Sequence, residues 1–144
     1  MSRIVSFRGL LADGGQETIP LRTNDGSTGY RITKFQLFPG APEVTGQQSI
    51  VKIYSVRQTT VDGAVDFNDN TILAAGYYAQ LISSAETTAE IAVFDNMVFN
   101  QNIVITHFED ANSVAINYYI ELEQVKLDLN ENTIATLKNI RNND

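Results

Sequence analysis

Ile116-Asn117-Tyr118-Tyr119-Ile120-Glu121-Leu122-Glu123 alternates apolar and polar side chains without a break. A period of two is what a β-strand produces when one face is buried and the other is wet. Ile116, Tyr118, Ile120 and Leu122 are therefore expected inside, and Asn117, Tyr119, Glu121 and Glu123 outside. A few residues later the pattern changes to Asn130-Glu131-Asn132-Thr133-Ile134-Ala135-Thr136-Leu137-Lys138-Asn139-Ile140-Arg141, which fits a short capped helix over 130–141. Asp128 with Glu131 three residues on has the form of a capping box, and Asn130 is a rival N-cap. Ile134, Leu137 and Ile140 form one narrow apolar stripe. So short a helix is marginal alone in water, so it is expected to dock on its own sandwich or on a neighbouring subunit.

Upstream, strand-length apolar runs recur between turn signals. Residues 4–11 read as a first strand, ended by Asp13-Gly14-Gly15. Residues 16–21 read as a second, with Pro20 pointing to a strand end or sheet edge because proline donates no ladder hydrogen bond. Asn24-Asp25-Gly26 is a strong turn signal. Residues 30–38 form the next run, stopped by Pro39-Gly40-Ala41-Pro42, and residues 49–57 follow, with a turn at Asp62-Gly63. Residues 71–82 fit a strand or a short helix equally, because alanines and paired tyrosines suit both. Residues 86–94 lean to strand, as do residues 97–108 with their β-branched content. Strand-forming runs at such regular intervals predict an all-β fold: an antiparallel β-sandwich, jelly-roll-like, or a barrel, closed by the C-terminal helix.

At 144 residues the chain is the size of one domain, able to bury roughly 70% of its unfolded surface. One β-sandwich domain over residues 1–144 is expected, with residues 1–8 as an N-terminal arm or first strand. No window approaches the ~20 apolar residues of a membrane-spanning helix, and the first residues lack the apolar run of a signal peptide. The absence of cysteine excludes disulfides and thiolate chemistry and fits assembly in a reducing cytoplasm. A net charge of −7 repels nucleic acid and anionic lipid; the one arrangement that would oppose this is a basic face built from Arg3, Arg8, Arg22, Arg31 and Lys34. Neither nucleic acid nor membrane is expected as a partner.

Reactive groups are sparse. His107 is the single histidine, and no serine lies in a nucleophile-elbow context beside it, so a structural or merely exposed histidine is expected. Asp66, Asn68 and Asn70 match the first positions of an EF-hand loop, but Thr71 stands where glycine is needed and Tyr77 where the bidentate glutamate belongs. A hydrated loop is the expectation there, with a different calcium geometry through Asp66 and Asp69 as the alternative. Glu121 and Glu123 sit roughly 7 Å apart on a wet strand face, a spacing that glycosidases use, without tryptophan nearby. Catalytic residues, metals and cofactors are therefore not expected. In Tyr77-Tyr78 and Tyr118-Tyr119 one ring of each pair should point inward and one outward; an interface role is assigned to Tyr78 or Tyr119.

Several phrases together carry a resemblance: Gln16-Glu17-Thr18-Ile19-Pro20-Leu21, Gly29-Tyr30-Arg31-Ile32-Thr33-Lys34-Phe35-Gln36, Val93-Phe94-Asp95-Asn96-Met97-Val98-Phe99-Asn100-Gln101, Asn117-Tyr118-Tyr119-Ile120-Glu121-Leu122-Glu123-Gln124, and the ending Lys126-Leu127-Asp128-Leu129-Asn130-Glu131 with Ala135-Thr136-Leu137-Lys138-Asn139-Ile140-Arg141. With them the chain resembles a family of small virion structural proteins of marine tailed bacteriophages, such as short-tailed cyanophages. The resemblance implies a capsid decoration or cement protein, made in the host cytoplasm and carried on the virion. Its partners would be the major capsid protein and further copies of itself, a trimer suiting a threefold position. The contacts are expected from the termini: Arg3, Val5 and Phe7 of the N-terminal arm and Ile134, Leu137 and Ile140 of the C-terminal helix, with Tyr78 and Tyr119. A tail, head-tail or fibre-associated component and a carbohydrate-binding β-sandwich module are the alternatives.

Overall fold

A computed structural model describes residues 3–21, 27–80 and 88–127. Their regular structure is β1 (Arg3–Leu11), β2 (Gln16–Ile19), β3 (Thr28–Pro39), β4 (Gln48–Tyr54), β5 (Ile72–Gln80), β6 (Thr88–Phe94), β7 (Ile103–Glu109) and β8 (Ile116–Lys126). The strands form two antiparallel sheets, a three-stranded one in the order β1-β8-β3 and a five-stranded one in the order β2-β7-β4-β5-β6. The fold is all-β and sandwich-like, as the alternating patterns predict. The expected helix over 130–141, with Ile134, Leu137 and Ile140, lies outside the described residues, as does the Asn24-Asp25-Gly26 turn.

β8 organises the smaller sheet. It pairs with β1 from Leu11↔Ile116 to Arg3↔Gln124 and with β3 from Pro39↔Ile116 to Thr28↔Lys126. Its inward residues Ile116, Tyr118, Ile120 and Leu122 are buried against Val51, Ile53, Ile103 and Ile105 of the larger sheet, in one continuous core. Each such side chain contributes about 1.5–3 kcal/mol through removal from water, so the alternation read in the sequence carries the sandwich.

Of the two readings of the N-terminus, an arm or a first strand, the structure shows the strand. Residues 3–8 belong to β1 and are paired with β8 throughout, and Val5 and Phe7 pack against the core. Their place on the inner face of a paired strand follows from the same period of two. Within the ambiguous 71–82 segment, Ile72–Gln80 is the strand β5, inner to the five-stranded sheet. Its alanines and glycine serve fit: a Cβ on Gly76 would lie 3.0 Å from side-chain carbons of Leu37 and Phe35, so small residues let β5 close on β3 across the core.

Residues 97–108 are not one strand. Phe99 leaves to pair with Tyr30 on the edge of β3, with reciprocal N–H to carbonyl bonds of 2.8 and 2.9 Å. β7 then begins at Ile103 in the other sheet, and Asn102 Oδ1 accepts from the Leu21 N–H between them. The β-branched content predicts strand, and strand is formed, but the segment changes sheets part-way. β2 ends at Ile19 on a sheet edge, with Pro20 immediately beyond it. Between Asp13 and Gly15 the chain turns tightly: Gly14 has φ 79° and the Gly15 N–H donates to Ala12 O, a conformation that suits glycine. β6 and β3 are edge strands of different sheets, and the Glu90 carboxylate reaches across to accept the Leu37 N–H at 3.3 Å.

Candidate functional site

His107 is enclosed, not exposed. Its Nδ1 lies 3.0 Å from Leu11 O and 3.2 Å from Ala12 O, while Nε2 lies 3.0 Å from Ser49 Oγ. Carbonyl oxygens only accept, so Nδ1 carries the proton and Nε2 accepts from the Ser49 hydroxyl. Burial pushes the His107 pKa below its ordinary value; the two backbone carbonyls and the charges of Asp13 and Glu109 pull the other way without prevailing. Ser49 and His107 are both fully buried, so this hydroxyl–imidazole pair holds β4, β7 and the turn after β1 together. The sequence marked His107 but not Ser49, because the two meet only through the β4–β7 register.

Two further buried charged groups serve loops. Glu109 is buried, which alone would raise its pKa, but the N–H groups of Gln48, Ala111, Asn112 and Val114 hold the carboxyl below its usual range. Lys52 is buried on the outer side of β4 beneath the 55–71 loop, where its Nζ donates to Asp62 Oδ1 at 3.1 Å and Ala64 O at 2.5 Å. The bond from Lys52, then its charge, lowers the Asp62 pKa. These contacts explain why a lysine tolerates that position: the loop satisfies it.

The other singled-out carboxylates are occupied locally. Asp66 Oδ1 accepts from the Asn68 N–H, and Asp69 Oδ1 accepts from the N–H and hydroxyl of Thr71. On β8, Glu121 accepts from the Tyr119 hydroxyl and Glu123 pairs with Arg31. Among the described residues no three His, Cys, Asp or Glu side chains converge on a common point that would hold a metal ion.

The tyrosine pairs split as expected, with a correction to the assigned ring. Tyr78 points into the core, where burial and then the Glu90 charge raise its pKa; the outward ring of that pair is Tyr77. Tyr118 is likewise buried and donates to Glu17 at 3.0 Å. A Cβ on Gly9, its register partner, would meet the Tyr118 ring at 2.9 Å, so glycine makes room for it. Tyr119 is on the outer face, half-buried. Arg3 is exposed at the start of β1. The basic-face expectation resolves into a mixed one: Arg8, Arg31 and Lys34 share the outer face of the small sheet with Glu121 and Glu123, and Arg22 lies outside the described residues.

Two outer surfaces are left with exposed apolar groups. On the five-stranded sheet, Ile91 and Val93 stand on the outer face of β6, 60% and 50% exposed. Val93 and Phe94 border a recess with Phe67, which is 64% exposed, from the 55–71 loop. On the three-stranded sheet, a groove of about 740 Å³ runs over Asn117 and Tyr119 of β8, between Leu10 and Arg8 on β1 and Phe38 and Gln36 on β3, with Glu90 at one side. Leu10 and Phe38 are 58% and 66% exposed and flank Asn117 in one row. Neither surface was legible in the sequence, since Leu10, Phe38 and Ile91 looked like ordinary strand residues.

No protein-family model matches the chain, and no curated protein is similar to it.

Proposed function

We propose that this chain is a non-enzymatic structural protein of a tailed-bacteriophage virion, a capsid decoration or cement protein that docks on the assembled major-capsid lattice. The observation that carries the reading beyond the sequence resemblance is the apolar surface of Ile91 and Val93 on the outside of the larger sheet, with Phe67 and Phe94 bordering the recess beside it. Large apolar side chains left together in water mark contact surfaces, and a cementing subunit acts through contact area. Binding the assembled lattice in preference to free shell subunits stabilises the shell by linkage. Attachment of several copies together, as a trimer at a threefold position, adds avidity.

The fold belongs to the same proposal as a jelly roll. The pairs β1–β8, β2–β7 and β4–β5 nest within one another, and β3 and β6, which would complete the series, lie side by side across the Glu90 contact. β6 adds to β5 in place of pairing with β3.

The test is a reconstruction of purified virions from a phage that encodes the chain, with binding of Ile91→Lys and Val93→Lys variants to decoration-free particles. Density over the capsid lattice and loss of binding by both variants are expected. Density confined to the tail or its junction replaces the decoration role with a tail component, and absence from the particle overturns the virion reading.

A further inference from the structure

We propose that the groove on the outer face of the three-stranded sheet is a binding site for a neutral oligosaccharide. Two rows of side chains cross it in register: Leu10, Asn117 and Phe38 in one, Arg8, Tyr119 and Gln36 in the next. Each row sets hydrogen-bonding groups beside an apolar surface. A ligand filling it must present an apolar face and polar edges within the same unit, as a sugar ring does with its C–H face and hydroxyls. Neighbouring strands are about 5 Å apart, which places the polar groups at the scale of one ring.

Other ligand classes fit less well. An extended peptide adding a strand needs free backbone N–H and C=O groups, but the groove floor is β8, paired on both edges. An anionic ligand needs a concentration of positive charge. Here the lining carries one cation, Arg8, and one carboxylate, Glu90, and Glu121 holds the Tyr119 hydroxyl at 2.7 Å, within a chain of net charge −7. A neutral ligand has no such requirement. The bond to Glu121 also fixes the Tyr119 ring before any ligand arrives, which lowers the ordering cost of binding. The volume, about 740 Å³, lies within the usual range for small-ligand sites. The site does not depend on the lattice contact, because it lies on the other sheet.

The test is isothermal titration and affinity electrophoresis of the full chain against an α-glucan, a β-glucan, a mannan and a galactan. A sulfated galactan and an extended neutral peptide serve as comparisons. Saturable binding to at least one neutral polysaccharide is expected, weakened about tenfold or more by Phe38→Ala and by Asn117→Ala and unchanged by Val93→Lys. Phe38 is 66% exposed, so its truncation leaves the fold intact, and an unchanged thermal midpoint checks this. Binding to none of the neutral polymers, binding to the sulfated galactan or the peptide alone, or binding indifferent to both groove variants overturns the proposal. Any of those results leaves particle binding through the opposite sheet to its own test.

Discussion

Glu109 and His107 are neighbours on β7, and both make the protein acid-sensitive in the same direction. His107 is held below its ordinary pKa of 6.5 by burial. Between that value and its lowered folded value, the unfolded chain binds a proton that the folded chain does not. Stability from this residue is therefore complete above pH 6.5 and declines as pH falls through the folded value. For Glu109 burial opposes ionisation, but the four N–H groups outweigh it and hold the carboxyl below its ordinary 4.5. Its contribution is complete above pH 4.5 and is lost as pH falls through the lowered value. We expect the urea midpoint to decline from near pH 6.5 downward and more steeply below 4.5. His107→Gln should abolish the first decline and keep the second. A wild-type midpoint level from pH 7 to 5 would show that His107 does not control this range. The sequence marked His107 as unreactive, and its pattern could not show that four amides converge on Glu109, because Gln48 joins from a strand about sixty residues away.

At the level of elements, the choice between an arm and a strand at the N-terminus has the largest consequence. An arm could be removed without harm; β1 cannot. Deleting residues 1–8 strips most of the β1–β8 ladder and uncovers the edge of the strand that organises the small sheet. The truncated chain should lose its cooperative urea transition, and a truncation that still folds with an unchanged slope would restore the arm reading. Within the full chain, Phe7→Ala should cost about 2 kcal/mol, less than for a fully buried phenylalanine because the ring is only partly covered. Strand existence was legible almost everywhere, since it rests on local alternation. Boundaries failed where a segment serves two sheets, as at Phe99 and Ile103, and type was ambiguous where β5 uses alanine and glycine for close approach to β3.

Over the whole molecule, the net charge of −7 contrasts with the surfaces proposed for contact. Ile91, Val93, Phe94 and Phe67 carry no charge, so lattice binding through them should be nearly independent of salt, because screening acts on charges and not on apolar burial. Particle-binding isotherms at about 0.05 and 0.5 M salt should differ little, whereas a steep loss at high salt would assign the contact to charged groups instead. Lys52 shows why such surfaces are hard to foresee: a lysine on the outer side of β4 is buried because the 55–71 loop covers it, while Phe67 in that loop is left in water. The chain's own pattern is enough to say which residues alternate, where most strands lie and which face of β8 is buried, because these follow from a two-residue period acting locally. Composition likewise settles the absence of thiol chemistry and the acidic balance. Strand order, the His107–Ser49 pair, the Glu90 contact between β6 and β3, and the placing of apolar groups on two separate outer faces emerge only when the chain is folded. Each depends on pairing between residues far apart in the chain, which side-chain periodicity does not encode.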